Sequence, residues 1–175
     1  GIEAIKSSTP APCRKMIKDA LHIRMTQENE DLIKFIDDFR TEFYSMPPED
    51  IAFPRSVNGL TKWSDPVTLY KKSCPIHVRG ALLYNYQLKS NRLKHKYPII
   101  QEGEKIKYVY LKEPNVLGQN VMSFIQEFPR EIPKVSDQID YKTQFEKSFI
   151  TPLKNILDVI GWKTKQESNL EFLFV

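Results

Sequence analysis

Hydrophobic positions recur every three or four residues in several long stretches of this 175-residue chain and alternate in another. In NEDLIKFIDDFRTEFYSM, Leu32, Ile36, Phe39 and Phe43 make one apolar stripe, while Glu30, Asp31, Asp37, Asp38 and Glu42 take the other side. That spacing predicts an amphipathic helix, stopped by Pro47 and Pro48. STPAPCRKMIKDALHIRM predicts an earlier helix, entered through Thr9 and prolines that a first turn tolerates because their missing N–H groups have no intrahelical acceptor there. Met16, Ile17, Ala20, Leu21 and the Arg24 stem line its inner face. CPIHVRGALLYNYQLK predicts a third helix, with Val78, Ala81, Leu82, Asn85 and Leu88 at helical spacing and Gly80 leaving room for another backbone. KIKYVYL alternates and is rich in β-branched and aromatic residues, so a strand is expected from Lys105 to Leu111 after the turn QEGE, and a shorter one at VMSFI. YKTQFEKSFITPLKNILDVIG predicts a closing helical pair, broken near Pro152 and ended by Gly161. The fold class expected is α+β, mainly helical, with a small β insertion.

Composition narrows the classes further. With 41% hydrophobic residues the chain can fill one core, and 12 Pro against 6 Gly favour rigid connections over flexible linkers. No window approaches 18 consecutive apolar residues and charges run through the first 25, so neither a membrane span, a membrane partner nor a signal peptide is expected. Cys13 and Cys74 stand about sixty residues apart, read as free thiols in a reducing cytoplasm. The net charge of +4 is uneven: +3 over residues 1–25, −6 over 26–50, +8 over 51–115 and −1 over 116–175. The basic middle block interleaves its cations with Tyr70, Tyr84, Tyr86, Tyr97, Tyr108 and Tyr110. It reads either as a polyanion footprint or as a solvated basic face. The last six residues hold five large apolar side chains around Glu171. Such a tail either folds back on the protein or enters another protein's pocket.

Catalytic signatures are incomplete. Cys74 and His77 stand three apart, but no second pair at ligand spacing accompanies them for zinc, and no oxyanion-hole signature accompanies them as a nucleophile and base. The six glycines are scattered rather than gathered in a phosphate loop. Asp37 and Asp38 point about 100° apart on a helix, and Asp-x-Asp does not occur.

Five strings, in order, carry a resemblance: GIEAIKSSTP, CPIHVRGALLYN, EGEKIKYVYL, FEKSFITPL and the apolar terminus. Together they resemble the C-terminal thumb of family B DNA polymerases from T-even-type phages, over essentially the whole chain. The resemblance implies a thumb domain over residues 1–163, with a DNA-facing basic block at about 51–115, and a flexible clamp-binding peptide at 164–175. It implies a part of a replicative polymerase whose palm carboxylates and Mg²⁺ lie outside this segment, so no catalytic residue, metal ligand or cofactor is expected here. The chain is then a fragment or the second product of a split gene, inactive alone, in the cytoplasm of an infected bacterial host.

The partners implied are primer–template DNA, the remaining polymerase domains (fingers, palm and exonuclease) and the sliding clamp. Gripping every sequence equally requires contacts to phosphates rather than base edges. Lys6, Ser7, Ser8 and Thr9 offer a cation, hydroxyls and backbone donors near a helix start, although Thr9 or Ser8 could equally cap that helix. Arg79, Lys105 and Lys107 match the strings and are the next expected backbone contacts. Leu170, Leu173 and Phe174, with Phe172, match a clamp-binding peptide, while Val175 departs from relatives that end in an aromatic. LKSNRLKHKYPII is longer and more basic than in relatives, with Arg92, Lys94, His95 and Lys96 clustered; it extends the DNA-facing surface or is a solvated loop. The rival assignment is an autonomous nucleic-acid-binding or clamp-adaptor protein with no catalytic partner.

Overall fold

The computed structural model describes residues 5–159, so Gly161 and the proposed clamp-binding residues Leu170, Phe172, Leu173 and Phe174 lie outside the described residues. The elements run α1 (Ala11–Thr26), α2 (Asn29–Tyr44), α3 (Pro48–Ile51), β1 (Phe53–Ser56), α4 (Leu60–Trp63), β2 (Ser64–Asp65) and β3 (Leu69–Tyr70). They continue through α5 (Ile76–Ser90), β4 (Lys105–Tyr110), β5 (Val121–Phe124), α6 (Tyr141–Phe145), a π-helical turn (Glu146–Ile150) and α7 (Thr151–Val159). The fold is α+β and mainly helical, as the periodicity predicts. The chain divides into two compact units, one of Gly1–Ile51 with Tyr141–Val175 and one of Ala52–Asp140.

The first unit is helical. The predicted stripe of α2 is its core: Leu32, Ile36, Phe39 and Phe43 are all buried. Residues three and four apart share a helix face, so the sequence spacing alone places these four together. From α1 come Cys13, Ile17 and Ala20, and from the closing helical run come Phe145, Phe149, Leu153 and Leu157. The rings interlock: Phe39 meets Phe149 edge-on at 4.9 Å, and Phe145 stacks on Phe149 at 5.2 Å. The expected break near Pro152 is instead a widening. Pro152 has no N–H, and its ring would press on the carbonyl four residues back in a regular α-helix. The π-helical turn before it lets the Thr151 N–H bond the Glu146 carbonyl, and the helical path continues. Buried polar groups of this helical run find partners: the Ser148 hydroxyl donates to the Gln144 carbonyl one turn back, and Gln144 Nε2 donates to the Ile51 carbonyl of α3 at 2.8 Å. Cys13 donates to Ser148 Oγ, and burial pushes its thiol up to about 11, the mark of an inert, packed cysteine.

The second unit is a three-stranded antiparallel sheet in the order β1-β4-β5, with α5 packed on it. Its register pairs Phe53 with Tyr108 and Tyr108 with Ser123. The sequence pattern missed β1 because Pro54 interrupts it; a proline lacks the ladder donor and is accommodated here on an edge strand. The EGE turn does more than reverse the chain. Gly103 takes φ +81°, a conformation L side chains disfavour, while Glu102 accepts the Gly59 and Leu60 N–H groups at 2.6 and 3.0 Å and so holds the start of α4.

Gly80 meets its expectation. A Cβ there would sit 2.4 Å from Ser123 Oγ and 2.9 Å from the Ser123 backbone nitrogen. The Ser123 hydroxyl also donates to the His77 carbonyl at 2.9 Å, tying β5 to α5. Gly80→Ala should therefore gain helix propensity yet lower the unfolding free energy by about 1–3 kcal/mol, because the obstructing atoms include backbone. A urea titration showing an unchanged or raised midpoint would contradict this close approach.

Candidate nucleic-acid interface

Lys6, Ser7 and Ser8 are exposed, while Thr9 is buried. The Thr9 N–H turns back to the Lys6 carbonyl at 3.0 Å, which makes KSST a tight turn ahead of α1. The N-cap of α1 is Pro10, with no side-chain cap, so neither Thr9 nor Ser8 fills the capping role that the string suggested. The first turn of α1 carries no acidic residue. Its dipole therefore adds to the Lys6 charge instead of opposing it.

Arg79, Lys105 and Lys107 belong to the other unit, and the sheet separates them. Side chains alternate along a strand, so Lys105, Lys107 and Val109 share one face of β4, opposite Ile106, Tyr108 and Tyr110. The pairing Tyr108↔Ser123 and the Gly80–Ser123 approach put α5 on the Tyr108 face. Arg79 thus lies on the helix side, and the two lysines lie on the reverse side, Lys105 exposed and Lys107 half-buried.

The helix side gathers a basic–aromatic cluster. The Arg79 guanidinium stands over the Tyr70 ring at 5.5 Å, and its Nε is buried without a hydrogen-bond partner. Tyr70 is held by the β2–β3 hairpin, whose turn is built by Asp65 Oδ1 accepting the Val67 and Thr68 N–H groups, both at 2.8 Å. Tyr108 stacks on Phe53 at 5.2 Å and lies 6.1 Å from the Tyr110 ring. Arg55, reaching from β1, hydrogen-bonds the Tyr108 hydroxyl. Arg55 is not legible in the sequence: its register opposite Ile106 places it here, and no periodicity in FPRS signals that register.

Burial sets the charge states. It raises the Tyr108 and Tyr110 hydroxyls above their ordinary value, with Arg55 and Arg79 respectively opposing. Both tyrosines therefore stay neutral and keep their donors. Burial, and then the Arg55 charge, lower the His77 pKa against a hydrogen bond to the Ser56 backbone, so the imidazole is neutral at pH 7. His77 is 7% exposed, and its Nδ1 has no partner. The site therefore presents two permanent cations among neutral donors and flat rings, a chemistry suited to phosphate oxygens.

Cys74 is no activated nucleophile: its thiol donates to the Pro75 carbonyl, and burial raises its pKa despite Arg79. Among the described residues no group of three or more His, Cys, Asp or Glu is placed to hold a metal ion.

No protein-family model matches the chain. Two phage proteins do. The DNA-directed DNA polymerase of Escherichia phage RB69 is 31% identical over 180 residues, covering 99% of this chain and 19% of that protein. The DNA-directed DNA polymerase of Enterobacteria phage T4 is 29% identical over 178 residues, with the same shares. The chain thus spans about a fifth of the length of these relatives. The resemblance carried by the five strings holds: along nearly all of its length the chain is similar to part of the DNA-directed DNA polymerases of T-even-type phages.

Proposed function

We propose that this chain is the thumb of a family B phage replicative DNA polymerase: it grips the primer–template duplex through phosphate contacts and tethers the enzyme to the sliding clamp by its C-terminal peptide. The observation that carries the proposal is the likeness to two phage DNA polymerases over 99% of the chain. The charge map supports it, because residues 52–140 hold fourteen Lys and Arg against eight Asp and Glu. Catalysis is assigned to palm carboxylates and Mg²⁺ in the rest of the polymerase, whether that is a separate polypeptide or an upstream part of the same one.

In this proposal the cations divide the work. Arg79, oriented by Tyr70 and joined by Arg55, meets one stretch of phosphates, and its free Nε gains an acceptor. Lys105 and Lys107, on the reverse face of the sheet, meet another. Lys6, Ser7 and Ser8 add a contact at the turn before α1, while the buried Thr9 positions that turn. None of these groups needs a base edge, so the grip is indifferent to sequence.

Titrating the chain with duplexes of unrelated sequence at several salt concentrations tests the grip. Five phosphate-neutralising cations, Lys6, Arg55, Arg79, Lys105 and Lys107, contribute about −4.5 to the slope of log affinity against log salt. Affinities for the different duplexes should agree within about three-fold, and Arg79→Gln should reduce the slope by about one. Absence of duplex binding, or strong preference for one sequence, would contradict the grip.

A further inference from the structure

The segment LKSNRLKHKYPII leaves α5 with more positive charge than the proposed grip uses. A solvated loop would be tied at its ends only, and this one is tied throughout. The Arg92 N–H bonds the Lys89 carbonyl and the Leu93 N–H bonds the Leu88 carbonyl, the paired bonds of a Schellman closure. Lys96 and Tyr97 N–H groups both turn back to the Leu93 carbonyl. Tyr97 is buried with its hydroxyl on Glu131, and the Lys96 ammonium bonds the same carboxylate. Beyond it, the Tyr84 hydroxyl donates to the Pro98 carbonyl at 2.9 Å, and Asn85 exchanges two hydrogen bonds with the Ile100 backbone at 2.9 and 3.0 Å.

This scaffold sorts the cluster. Lys96 is neutralised by Glu131, with Glu127 adding to the effect. Lys89, Arg92, Lys94 and His95 are exposed, and among the described residues no carboxylate pairs with the three cations. Arg92 also occupies the position after the helix cap at φ +55°. Glycine is favoured there because a Cβ crowds the backbone in the left-handed region. An arginine held in that conformation is an observed strain that points to use of its side chain.

We propose that Lys89, Arg92 and Lys94, with His95 beside them, form a second phosphate-backbone contact for duplex DNA at the C-terminal end of α5; the proposal rests on the duplex grip described above and adds a separate site to it. α5 runs Ile76–Ser90, and the eleven residue steps from Arg79 to its last residue set this end roughly 16 Å from Arg79. At 3.4 Å per step along a strand this is about five nucleotides, so the two ends meet different phosphates. Because the backbone beneath the cations is already fixed, less ordering entropy is lost when they engage.

The test uses the full 175-residue chain and a mixed-sequence duplex long enough to cover both ends of α5, with affinity measured against salt and melting followed in parallel. Arg92→Gly should leave the melting temperature at or above that of the parent while reducing the salt slope by about one; the double variant Lys89→Gln with Lys94→Gln should reduce it by about two. Parent-like slopes in both variants would overturn the second contact while leaving the Arg79 grip standing. A lowered melting temperature in Arg92→Gly with no change in slope would instead make Arg92 a helix-end charge, and overturn it too. Failure of the parent chain to bind duplex at all would overturn both the grip and this extension.

Discussion

Phe39→Ala is expected to lower the unfolding free energy by about 3–5 kcal/mol and the melting temperature by roughly 10 °C. Phe39 is 1% exposed and touches three other rings: Phe43 at 6.0 Å, Phe145 at 5.7 Å and Phe149 at 4.9 Å. Its removal costs the transfer of one large apolar side chain, leaves a cavity between α2 and the closing helical run, and ends several edge-on ring contacts worth about 0.5–1.5 kcal/mol each beyond burial. Native domains hold only about 5–15 kcal/mol in total, so this one change consumes a large part of the stability. Phe35, half-buried on the same helix, is the comparison: its alanine variant should lose less than half as much. Equal losses at both sites in urea unfolding would contradict the assignment of the α2 stripe as the centre of the first unit.

The second large effect is expected at the C-terminus. If the terminal peptide is a clamp tether, Phe174→Ala removes one apolar anchor of about 1.5–3 kcal/mol, which weakens clamp affinity by roughly 10- to 150-fold. Leu170→Ala and Leu173→Ala should act in the same direction, while duplex affinity and melting temperature stay unchanged. The competing arrangement, in which the peptide packs against its own chain, predicts the opposite split: a lowered melting temperature with clamp binding unaffected. Direct titration of clamp into chain, alongside thermal melting, separates the two.

The helices were legible because their chemistry is local. Every buried residue of α2 follows from spacing alone, and Gly80 was readable as a close approach because a glycine amid good helix formers needs a packing reason. The lysine pair in KIKYVY was also readable as sharing one strand face. What spacing cannot supply is the partner across the sheet. That α5 covers the Tyr108 face, leaving Arg79 on one side and Lys105 and Lys107 on the other, depends on β1 and β5 and on their register. Arg55 escaped notice for the same reason, since four residues containing Pro54 carry no period to read. The Pro152 turn shows a different limit. A proline in a helical pattern signals a disrupted hydrogen bond, but whether the chain breaks or widens into a π turn is decided by the packing of Phe145, Phe149 and Leu153 on either side. Charge behaved similarly: Lys96 counts as a cation in the sequence and is neutralised by Glu131, thirty-five residues away.

The most direct test of the central claim is primer extension with a recombinant portion of a matching phage polymerase carrying exonuclease, palm and fingers, with and without this chain. The thumb assignment predicts little or no synthesis by either component alone, and synthesis when the two are mixed, lengthened further by sliding clamp. A chain that binds duplex DNA yet neither joins that portion nor changes its synthesis would contradict the thumb assignment and favour an autonomous DNA-binding protein.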